Sequence, residues 1–321
     1  MAPLNILIVG CGVGGTTLAS FLLLGPDAPC EKPHITVLER AASIPAYGQN
    51  IDIRGAGATV IRKLGLETAI RSSTTNEEGV LIVDSDNKVW ATNAADKTGK
   101  IQTGTSDIEI LRGTLTDILY RRSRTVSDEV KKDGEAGIEY VFGDYLEHLW
   151  QDEQKVHVRF AKSREERTFD LVVGADGLQS RTRRTVFGQS GEENRVKRLG
   201  MYVGFFSMPK GETDSLWRRW YHAPGRRGIM VRPHEHKDKS TVFMAVLNDD
   251  DQRLIDVASG PERSVEAQKA LLKEYFQDAG WESERVISEM EAADDFYYDM
   301  VAQIKMDQWS KGRVVLLGDA G

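Results

Sequence analysis

Residues 5–15 read NILIVGCGVGG, an apolar run that passes into a glycine-rich segment. The run that ends at Gly10 has the length and composition of a strand buried on both faces. A helical pattern follows from Gly14 to Leu24, and the next apolar run, Ile35–Glu39, again predicts a buried strand. Strand, helix and strand in this order predict a βαβ unit with parallel strands.

The glycines of this segment fit the pattern G-x-G-x-x-G in that setting. The first glycine of such a pattern permits a tight turn, the second lets the backbone approach a pyrophosphate, and the third lets helix and strand pack closely. An acidic residue ends the second strand, 24 positions past Gly15, where it would accept hydrogen bonds from ribose hydroxyls. The phosphates would face the first N–H groups of the helix. We therefore predict a dinucleotide site, FAD or NAD, at Gly10, Gly12, Val13, Gly14, Gly15 and Glu39.

Two later segments repeat the combination of an apolar run, small residues and an aspartate. Residues 170–183 read DLVVGADGLQSRTR, and residues 312–320 read GRVVLLGDA. Small residues at a strand end let the backbone come close to a cofactor, although an Asx turn would also explain the Asp-Gly pair. We expect Asp319 to end a buried strand, where its carboxylate needs a hydroxyl or N–H partner.

With these three motifs in this order, the chain resembles the FAD-dependent aromatic hydroxylases built on the para-hydroxybenzoate hydroxylase fold. The resemblance covers essentially the whole chain and implies FAD as the cofactor. It places Asp176 and Gly177 near the pyrophosphate, in a stretch that also contributes to the use of a nicotinamide cofactor. It places Gly318 and Asp319 at the ribityl chain of the flavin.

Residues 48–53, GQNIDI, are similar to a G-G-x-L-D-L stretch of tetracycline-inactivating flavin monooxygenases. This likeness implies that Asp52 contacts the flavin. Arg112 matches an R-x-x-L element that opens a helix, and its family counterpart reaches the flavin or its phosphate arm. The alternative is an exposed arginine at a helix start.

Four further positions follow from the resemblance. Arg40 is a common family companion of the acidic residue before it, and we expect it against the adenosine. Ser180 and Arg183 match the later polar positions of the DG motif. The arginine that the tetracycline-inactivating subgroup associates with NADPH has no match, and Pro45 falls near its position.

Further strands and helices are expected in both parts of the chain. We expect strands, the first four as a β-meander, at Ile138–Phe142, Tyr145–Trp150, Lys155–Phe160, Thr168–Val173, Met201–Met208, Leu216–Tyr221, Gly228–Arg232, Thr241–Leu247, Phe296–Lys305 and Val314–Leu317. Ser264–Ala279 and Glu282–Ala292 predict helices. The fold class is therefore α/β. We predict a discontinuous Rossmann-like FAD-binding domain of residues 1–181 and 301–321, and an inserted, mostly antiparallel β substrate domain of residues 182–300.

The resemblance implies a monooxygenase. NADPH or NADH would reduce FAD, O₂ would add to give a flavin C4a-hydroperoxide, and an aromatic or polyketide-like small molecule would be hydroxylated. We expect no catalytic side chain. The substrate would lie against the β-rich domain, where aromatic and apolar side chains are candidates for lining it, although packing would explain each of them: Tyr202, Phe205, Trp217, Trp220, Tyr221 and Met230.

Two other functions stay open. One is a different flavin oxidoreductase on the same fold, such as an epoxidase, a Baeyer–Villiger oxygenase or a halogenase, although the W-x-W-x-I-P element of halogenases is not found. The other is a truncated flavin-binding remnant without activity. In the family the chain continues after the GD motif into C-terminal helices, which have no counterpart before Gly321. We therefore expect either a fragment of a longer protein or the product of altered splicing or of an incorrect gene assignment.

The amino-acid composition limits the kinds of binding partner and the cellular compartment that we expect. Among 321 residues, 40% are hydrophobic and 28% charged, which is typical of a globular protein, and the net charge of −7 disfavours nucleic acid. The two cysteines, Cys11 and Cys30, exclude a disulfide framework and favour a reducing, cytoplasmic compartment. Cys11 is expected to be a packing residue. We expect no membrane segment, no metal site, and a monomer or weak dimer.

Overall fold

The computed structural model describes residues 2–25, 32–44, 48–98, 103–260 and 262–321. Pro45 and Cys30, which figured in the sequence-based expectations, lie outside these ranges. The chain divides into two compact units. The first unit comprises Met1–Pro45, Leu115–Lys197 and Gln303–Gly321, and the second comprises Ala46–Thr114 and Arg198–Ala302. Both units are therefore discontinuous along the chain.

Strands supply most of the regular structure in the described residues. In chain order they are β1 Asn5–Val9, β2 His34–Glu39, β3 Asn50–Asp52, β4 Gly79–Val83, β5 Val89–Ala94, β6 Glu109–Leu111, β7 Ile138–Phe142, β8 Leu146–Gln151, β9 Val156–Phe160, β10 Glu166–Phe169, β11 Leu171–Gly174, β12 Val196–Pro209, β13 Trp217–Ala223, β14 Arg227–Pro233, β15 Lys239–Leu247, β16 Tyr297–Ile304, β17 Ser310–Lys311 and β18 Val314–Leu316.

The helices are α1 Val13–Leu24, α2 Ala56–Lys63, α3 Glu67–Ser72, α4 Arg112–Lys132, α5 Arg181–Phe187, α6 Glu192–Arg195, α7 Gln252–Ser259, α8 Val265–Phe276 and α9 Ser283–Ala292, followed by a 3₁₀ turn at Gly318–Ala320. Within the described residues, no helix is both long enough and apolar enough to cross a membrane.

The first unit is built on a six-stranded sheet in the order β17-β18-β11-β1-β2-β7. Only β17 runs antiparallel to its neighbour. Val9 pairs with both Leu38 and Gly174, and Gly174 pairs with Leu316. Because these strands are parallel and in register, their carboxyl ends lie along one edge of the sheet. Side chains that alternate along the strands fill one hydrophobic cluster on each face.

Two expectations for residues 138–173 were wrong. β7 does not belong to a meander but pairs in parallel with β2, and only β8, β9 and β10 form an antiparallel sheet. The predicted strand Thr168–Val173 divides at Asp170 into β10 and β11, which lie in different sheets. The division has a local cause, because the Asp170 carboxylate accepts hydrogen bonds from the Asn5 amide at 2.8 Å and from Lys155 Nζ at 2.6 Å.

The second unit contains a seven-stranded sheet in the order β16-β12-β15-β14-β13-β4-β5, and the separate pair β3-β6. β4 runs parallel to β13. This pairing places residues 79–94 with the β-rich unit, whereas the sequence-based division placed residues 46–181 in the FAD-binding domain. The functional meaning of the two units, one for FAD and one for substrate, stays a prediction.

Candidate functional site

The glycine loop between β1 and α1 combines two close backbone approaches with one open position. At Gly10, where φ is +111°, an added Cβ would lie 2.4 Å from the Ala175 carbonyl oxygen. At Gly15 it would lie 2.0 Å from the Gly10 carbonyl oxygen. At Gly12 it would meet nothing within 4 Å. The loop is therefore packed at its first and third glycines and open at its second, as the pattern requires for a nearby phosphate group.

Helix α1 begins directly behind this open position. Gly12 is its N-cap and, having no side chain, leaves the first-turn amides of Val13, Gly14 and Gly15 uncapped. Thr16 fixes the turn, since its amide and hydroxyl donate to the Gly12 carbonyl at 3.1 and 2.8 Å. First-turn N–H groups have no acceptor inside a helix and carry partial positive charge. The start of α1 therefore suits a phosphate.

Glu39, at the end of β2, holds the glycine loop in place. Its Oε2 accepts a hydrogen bond from the Cys11 amide at 2.9 Å, and its Oε1 accepts one from the Ala41 amide at 2.8 Å. Its predicted contact with ribose stays a prediction. Arg40, the next residue, is exposed.

Cys11 lies inside the core of the first unit. Its thiol is buried, and burial together with the nearby Glu39 carboxylate raises its pKa to about 12. The thiolate is the reactive form of cysteine. Cys11 is therefore a neutral packing residue, as its position in the glycine turn predicted.

The DG motif forms a loop that is held by its own aspartate. Asp176 accepts hydrogen bonds from the Ser180 hydroxyl at 2.5 Å and from the Thr182 amide at 3.0 Å. Ser180 in turn caps α5, because its Oγ accepts from the Arg183 amide at 2.9 Å. Gly177 has a φ of +75° and open space where a Cβ would project.

The GD motif differs from its expectation in one respect. β18 ends at Leu316, and Asp319 lies in the 3₁₀ turn with its side chain exposed rather than at the end of a buried strand. The Leu317 amide still donates to the Gly174 carbonyl of β11 at 2.8 Å, and the chain turns away after it. Gly318 has a φ of +63° and, like Gly12 and Gly177, open space beside it.

The carboxyl edge of the six-stranded sheet thus gathers most of the predicted site residues. The glycine loop follows β1, Glu39 ends β2, the DG loop follows β11 and the GD turn follows β18, and these four strands are adjacent. In open α/β sheets, ligands bind outside the carboxyl ends of the strands. Asp52 and Arg112 are not on this edge, since both belong to the second unit.

In the second unit, β3 and β6 bring Asp52 and Arg112 onto neighbouring segments. Asp52 pairs with Glu109 in the strand register and forms an ion pair with Arg54 at 2.8 Å. Arg112 is the first residue of α4, and its amide donates to the Gln49 carbonyl at 2.9 Å. An added Cβ at Gly48, where φ is +137°, would lie 3.2 Å from the Arg112 Cβ.

The segment around Asp52 also carries buried polar atoms without a partner. They are Gln49 Oε1, both amide atoms of Asn50, and Arg54 Nε. Buried polar atoms are nearly always hydrogen-bonded, and leaving one unpaired costs about 1–3 kcal/mol. A polar ligand group would satisfy them. The sequence singled out this segment for Asp52 but did not predict Gln49 or Asn50, because their burial depends on the pairing of β3 with β6.

The seven-stranded sheet separates the candidate substrate-lining residues into two sets. Tyr202 is 1% exposed, and Tyr221 donates to the Ala279 carbonyl at 2.8 Å, so both pack in the core. Phe205 lies on the opposite side of β12 from Tyr202, because three positions separate them on a strand. It contacts Phe243 and Tyr297, with ring centroids 5.3 and 6.1 Å away.

Comparison with known proteins agrees with this architecture. The FAD-binding domain family matches residues 4–321. The chain is 37% identical to the FAD-dependent monooxygenase asL6 of Sarocladium schorii, over 99% of this chain and 74% of that protein. It is 33% identical to the flavin-dependent monooxygenase eupH of Phoma sp, over 100% of this chain and 71% of that protein.

Comparison with a solved structure supports the fold. The tetracycline destructase Tet(51) superimposes with a TM-score of 0.79 at 27% identity, over 100% of this chain and 75% of that chain. The predicted α/β fold of flavin hydroxylases and the predicted FAD-dependent monooxygenase activity are thereby confirmed. The chain belongs to the FAD-binding domain family of flavin-dependent monooxygenases.

Proposed function

We propose that this chain holds FAD along the carboxyl edge of its six-stranded sheet and uses NADPH or NADH to hydroxylate an aromatic or polyketide-like small molecule. One observation carries the FAD assignment. Gly12, Gly177 and Gly318, which belong to three different motifs, all have open space where a side chain would project. They follow the adjacent strands β1, β11 and β18. The backbone is thus bare after three neighbouring strands, where an extended cofactor would lie.

The side chains and amides at this edge have complementary roles. The uncapped amides of Val13, Gly14 and Gly15 bind the pyrophosphate, whose charge the N-terminus of α1 favours. Glu39 accepts one backbone N–H at each oxygen. A carboxylate offers about four acceptor positions, so it can still bind ribose hydroxyls. Asp319 is exposed and accepts hydrogen bonds from the ribityl hydroxyls.

FAD, when bound, supplies the electron transfer and the activation of oxygen, and the protein supplies position and exclusion of water. The absence of a proposed catalytic side chain follows from this division of roles. The chain's own residues bind and orient the cofactor.

An aromatic surface supports the substrate class. Phe205, Phe243 and Tyr297 lie together on one face of the seven-stranded sheet of the second unit. Offset or edge-to-face contacts with such rings favour a planar aromatic partner. The structurally similar protein Tet(51) is named as a tetracycline destructase.

Substitution of Gly12 by alanine tests the FAD edge. A methyl group here meets no protein atom within 4 Å, so the FAD-free protein should keep its stability within about 1 kcal/mol, the range for replacing an N-cap residue. The methyl group would occupy the space of the pyrophosphate, and we expect FAD affinity, measured by flavin fluorescence, to fall by about tenfold or more.

The matched control is Gly25→Ala at the other end of α1. An added Cβ there lies 3.6 Å from the Phe21 carbonyl oxygen, an ordinary contact. This variant should bind FAD as the parent does. Equal FAD affinity in the Gly12→Ala variant and the parent would contradict the proposed edge.

A second experiment tests the reductant and the substrate class. NADPH and NADH are compared as reductants of the bound flavin, and a panel of fused-ring phenols is scored for stimulated oxidation of the better one. We expect a product that carries one new hydroxyl group. A product with an epoxide or a lactone would identify the epoxidase or Baeyer–Villiger alternative, and failure of both nicotinamides to reduce the flavin would contradict the proposed reductant.

A further inference from the structure

A fully buried arginine links the two later motifs of the first unit. Arg183 lies in α5 and is 0% exposed. Its Nη1 donates to the Ala320 carbonyl at 2.9 Å, and its Nη2 donates to the Leu178 carbonyl at 2.7 Å. Leu178 belongs to the DG loop, and Ala320 ends the turn that carries Asp319. One guanidinium therefore contacts two of the segments that flank the proposed FAD site, the DG loop and the Gly318–Ala320 turn.

The charge of this guanidinium is compensated. Glu192, on α6, accepts from Arg183 Nη2 at 2.8 Å and from Nε at 3.1 Å. A buried charge without such a partner costs several kcal/mol. With Glu192 as counter-ion, the remaining donors are available to the two carbonyl groups.

The chemistry of arginine suits this bridge. The guanidinium is planar and its donors point in fixed directions, whereas a lysine ammonium is a single centre on a flexible stem. Two carbonyl groups bound to one guanidinium are therefore held at a set separation. The start of α5 does not need the side chain for this, because the Ser180 hydroxyl already caps the helix through the Arg183 amide.

We propose that Arg183 is a positioning residue for FAD, which sets the distance between the DG loop and the Gly318–Ala320 turn. This inference rests on the proposed FAD edge. Gly177 and Gly318 are the bare positions on the two connected segments, so a change in their separation changes the width of the cofactor site. The residue acts through the two carbonyl groups and does not itself touch the flavin.

The test compares Arg183→Lys and Arg183→Met with Val186→Ala. Val186 lies one turn further along α5 and packs in the core at 7% exposure, so its truncation destabilises the same helix without breaking the bridge. Urea unfolding of the FAD-free proteins, FAD dissociation constants and the visible circular dichroism of bound flavin are measured. We expect FAD affinity to fall about tenfold or more for Arg183→Met, with an altered flavin spectrum.

Arg183→Lys should retain part of the affinity, and Val186→Ala should retain both affinity and spectrum at a comparable loss of stability. FAD affinity that falls in step with stability in all three variants would overturn the proposal. If Arg183→Met does not fold, the same comparison with Glu192→Gln, which keeps the arginine but weakens its counter-ion, decides the question.

The outcomes separate this inference from the proposed function. Unchanged FAD affinity in Gly12→Ala would show that the edge itself is not the cofactor site. Weakened affinity in Gly12→Ala, with parental affinity and spectrum in the Arg183 variants, would show that only the positioning role is wrong.

Discussion

Among single residues, the glycines of the first loop differ in what surrounds them. A Cβ at Gly15 would lie 2.0 Å from the Gly10 carbonyl oxygen, which is closer than two non-bonded heavy atoms can approach. A Cβ at Gly14 would lie 3.7 Å from the Leu317 side chain, an ordinary van der Waals contact. Neighbouring glycines therefore make very different contributions to the stability of the first unit.

Alanine substitutions at these two glycines should have unequal effects on stability. Gly15→Ala forces α1 away from the end of β1, and overpacking of this kind costs about 1–3 kcal/mol or more. Gly14→Ala adds a methyl group at a tolerant position and gains helix propensity, so its stability should change by at most about 1 kcal/mol. Urea unfolding of the FAD-free proteins measures both. Equal stability of the two variants would contradict the close approach of α1 to the end of β1 at Gly15.

Cys11 should resist alkylation in the folded protein. In a Cys30→Ser background Cys11 is the remaining thiol. With its pKa raised to about 12 by burial and by Glu39, about one thiol in ten thousand is ionised at pH 8. We expect iodoacetamide to modify it slowly in buffer and rapidly in concentrated urea. Rapid modification of the folded protein would show that the loop opens or that the thiol is exposed.

The cofactor contacts of the single residues stay predictions, but the backbone geometry of the glycine loop was expected from its spacing. The G-x-G-x-x-G spacing indicated which glycines must be bare, and the structure places Gly10 and Gly15 against backbone atoms. The spacing did not reveal that Glu39 binds the Cys11 amide, because an acidic residue at a strand end has several possible partners. The bridge from Arg183 to Ala320 spans 137 positions, and no local pattern encodes such a contact.

For the helices and strands, the sequence predicted where an element forms better than it predicted which strands pair with each other. The runs at 146–151 and 156–160 form strands close to their expected bounds. The split at Asp170 was missed, because β10 and β11 differ in the sheets to which they belong rather than in their composition.

A buried carboxylate, Asp144, organises the start of β8. Asp144 is 4% exposed and accepts hydrogen bonds from the backbone amides of Tyr145, Lys162 and Ser163 at 2.8–2.9 Å.

Asp144→Asn should weaken the antiparallel sheet of the first unit in a pH-dependent way. Burial alone would raise the pKa of this carboxyl, but the hydrogen bonds from Lys162 and Ser163 outweigh it and lower the pKa to about 2. The ordinary value in an unfolded chain is about 3.9. The carboxylate therefore stabilises the fold fully above about pH 4, and this contribution is lost as the pH falls towards 2.

Stability is measured as urea unfolding of the parent and the variant across this range. We expect the parent to be more stable by about 1–3 kcal/mol at pH 7, because the variant loses the charge of the acceptor and places an NH2 group where the Asp144 Oδ2 accepts from the Ser163 amide. We expect the difference to shrink below pH 4. Asp133→Asn, at an exposed position after α4, is the control. A difference that is constant from pH 7 to pH 2 would assign the effect to packing instead of charge.

For the whole molecule, each unit is assembled from segments that are distant in the chain. Residues 46–114 cluster with residues 198–302, and this was not predicted, because β4 and β5 join the seven-stranded sheet through the parallel pairing of β4 with β13. Pairing partners between distant strands leave no periodic signal in the sequence. The shared edge of the first unit was better predicted, because motifs at the ends of parallel strands meet wherever those strands are neighbours.

This assembly leads to a prediction for hydrogen exchange with and without FAD. If the carboxyl edge of the first unit is the cofactor site, the amides of 10–15, 175–180 and 317–320 should gain protection together, although they lie far apart in the chain. Strands β8, β9 and β10, which form a separate sheet, should exchange as before. At an FAD concentration that saturates the parent but not the variant, Gly12→Ala should show less of this protection, since its FAD affinity is lower. Exchange in segments 48–53 and 109–112 tests Asp52 and Arg112 separately. Protection of these segments by FAD supports Asp52 and Arg112 as flavin contacts, and unchanged exchange shows that neither residue contacts the flavin. Protection of only one of the three first-unit loops would mean that their common edge does not bind one continuous molecule, whatever the similarity of the motifs.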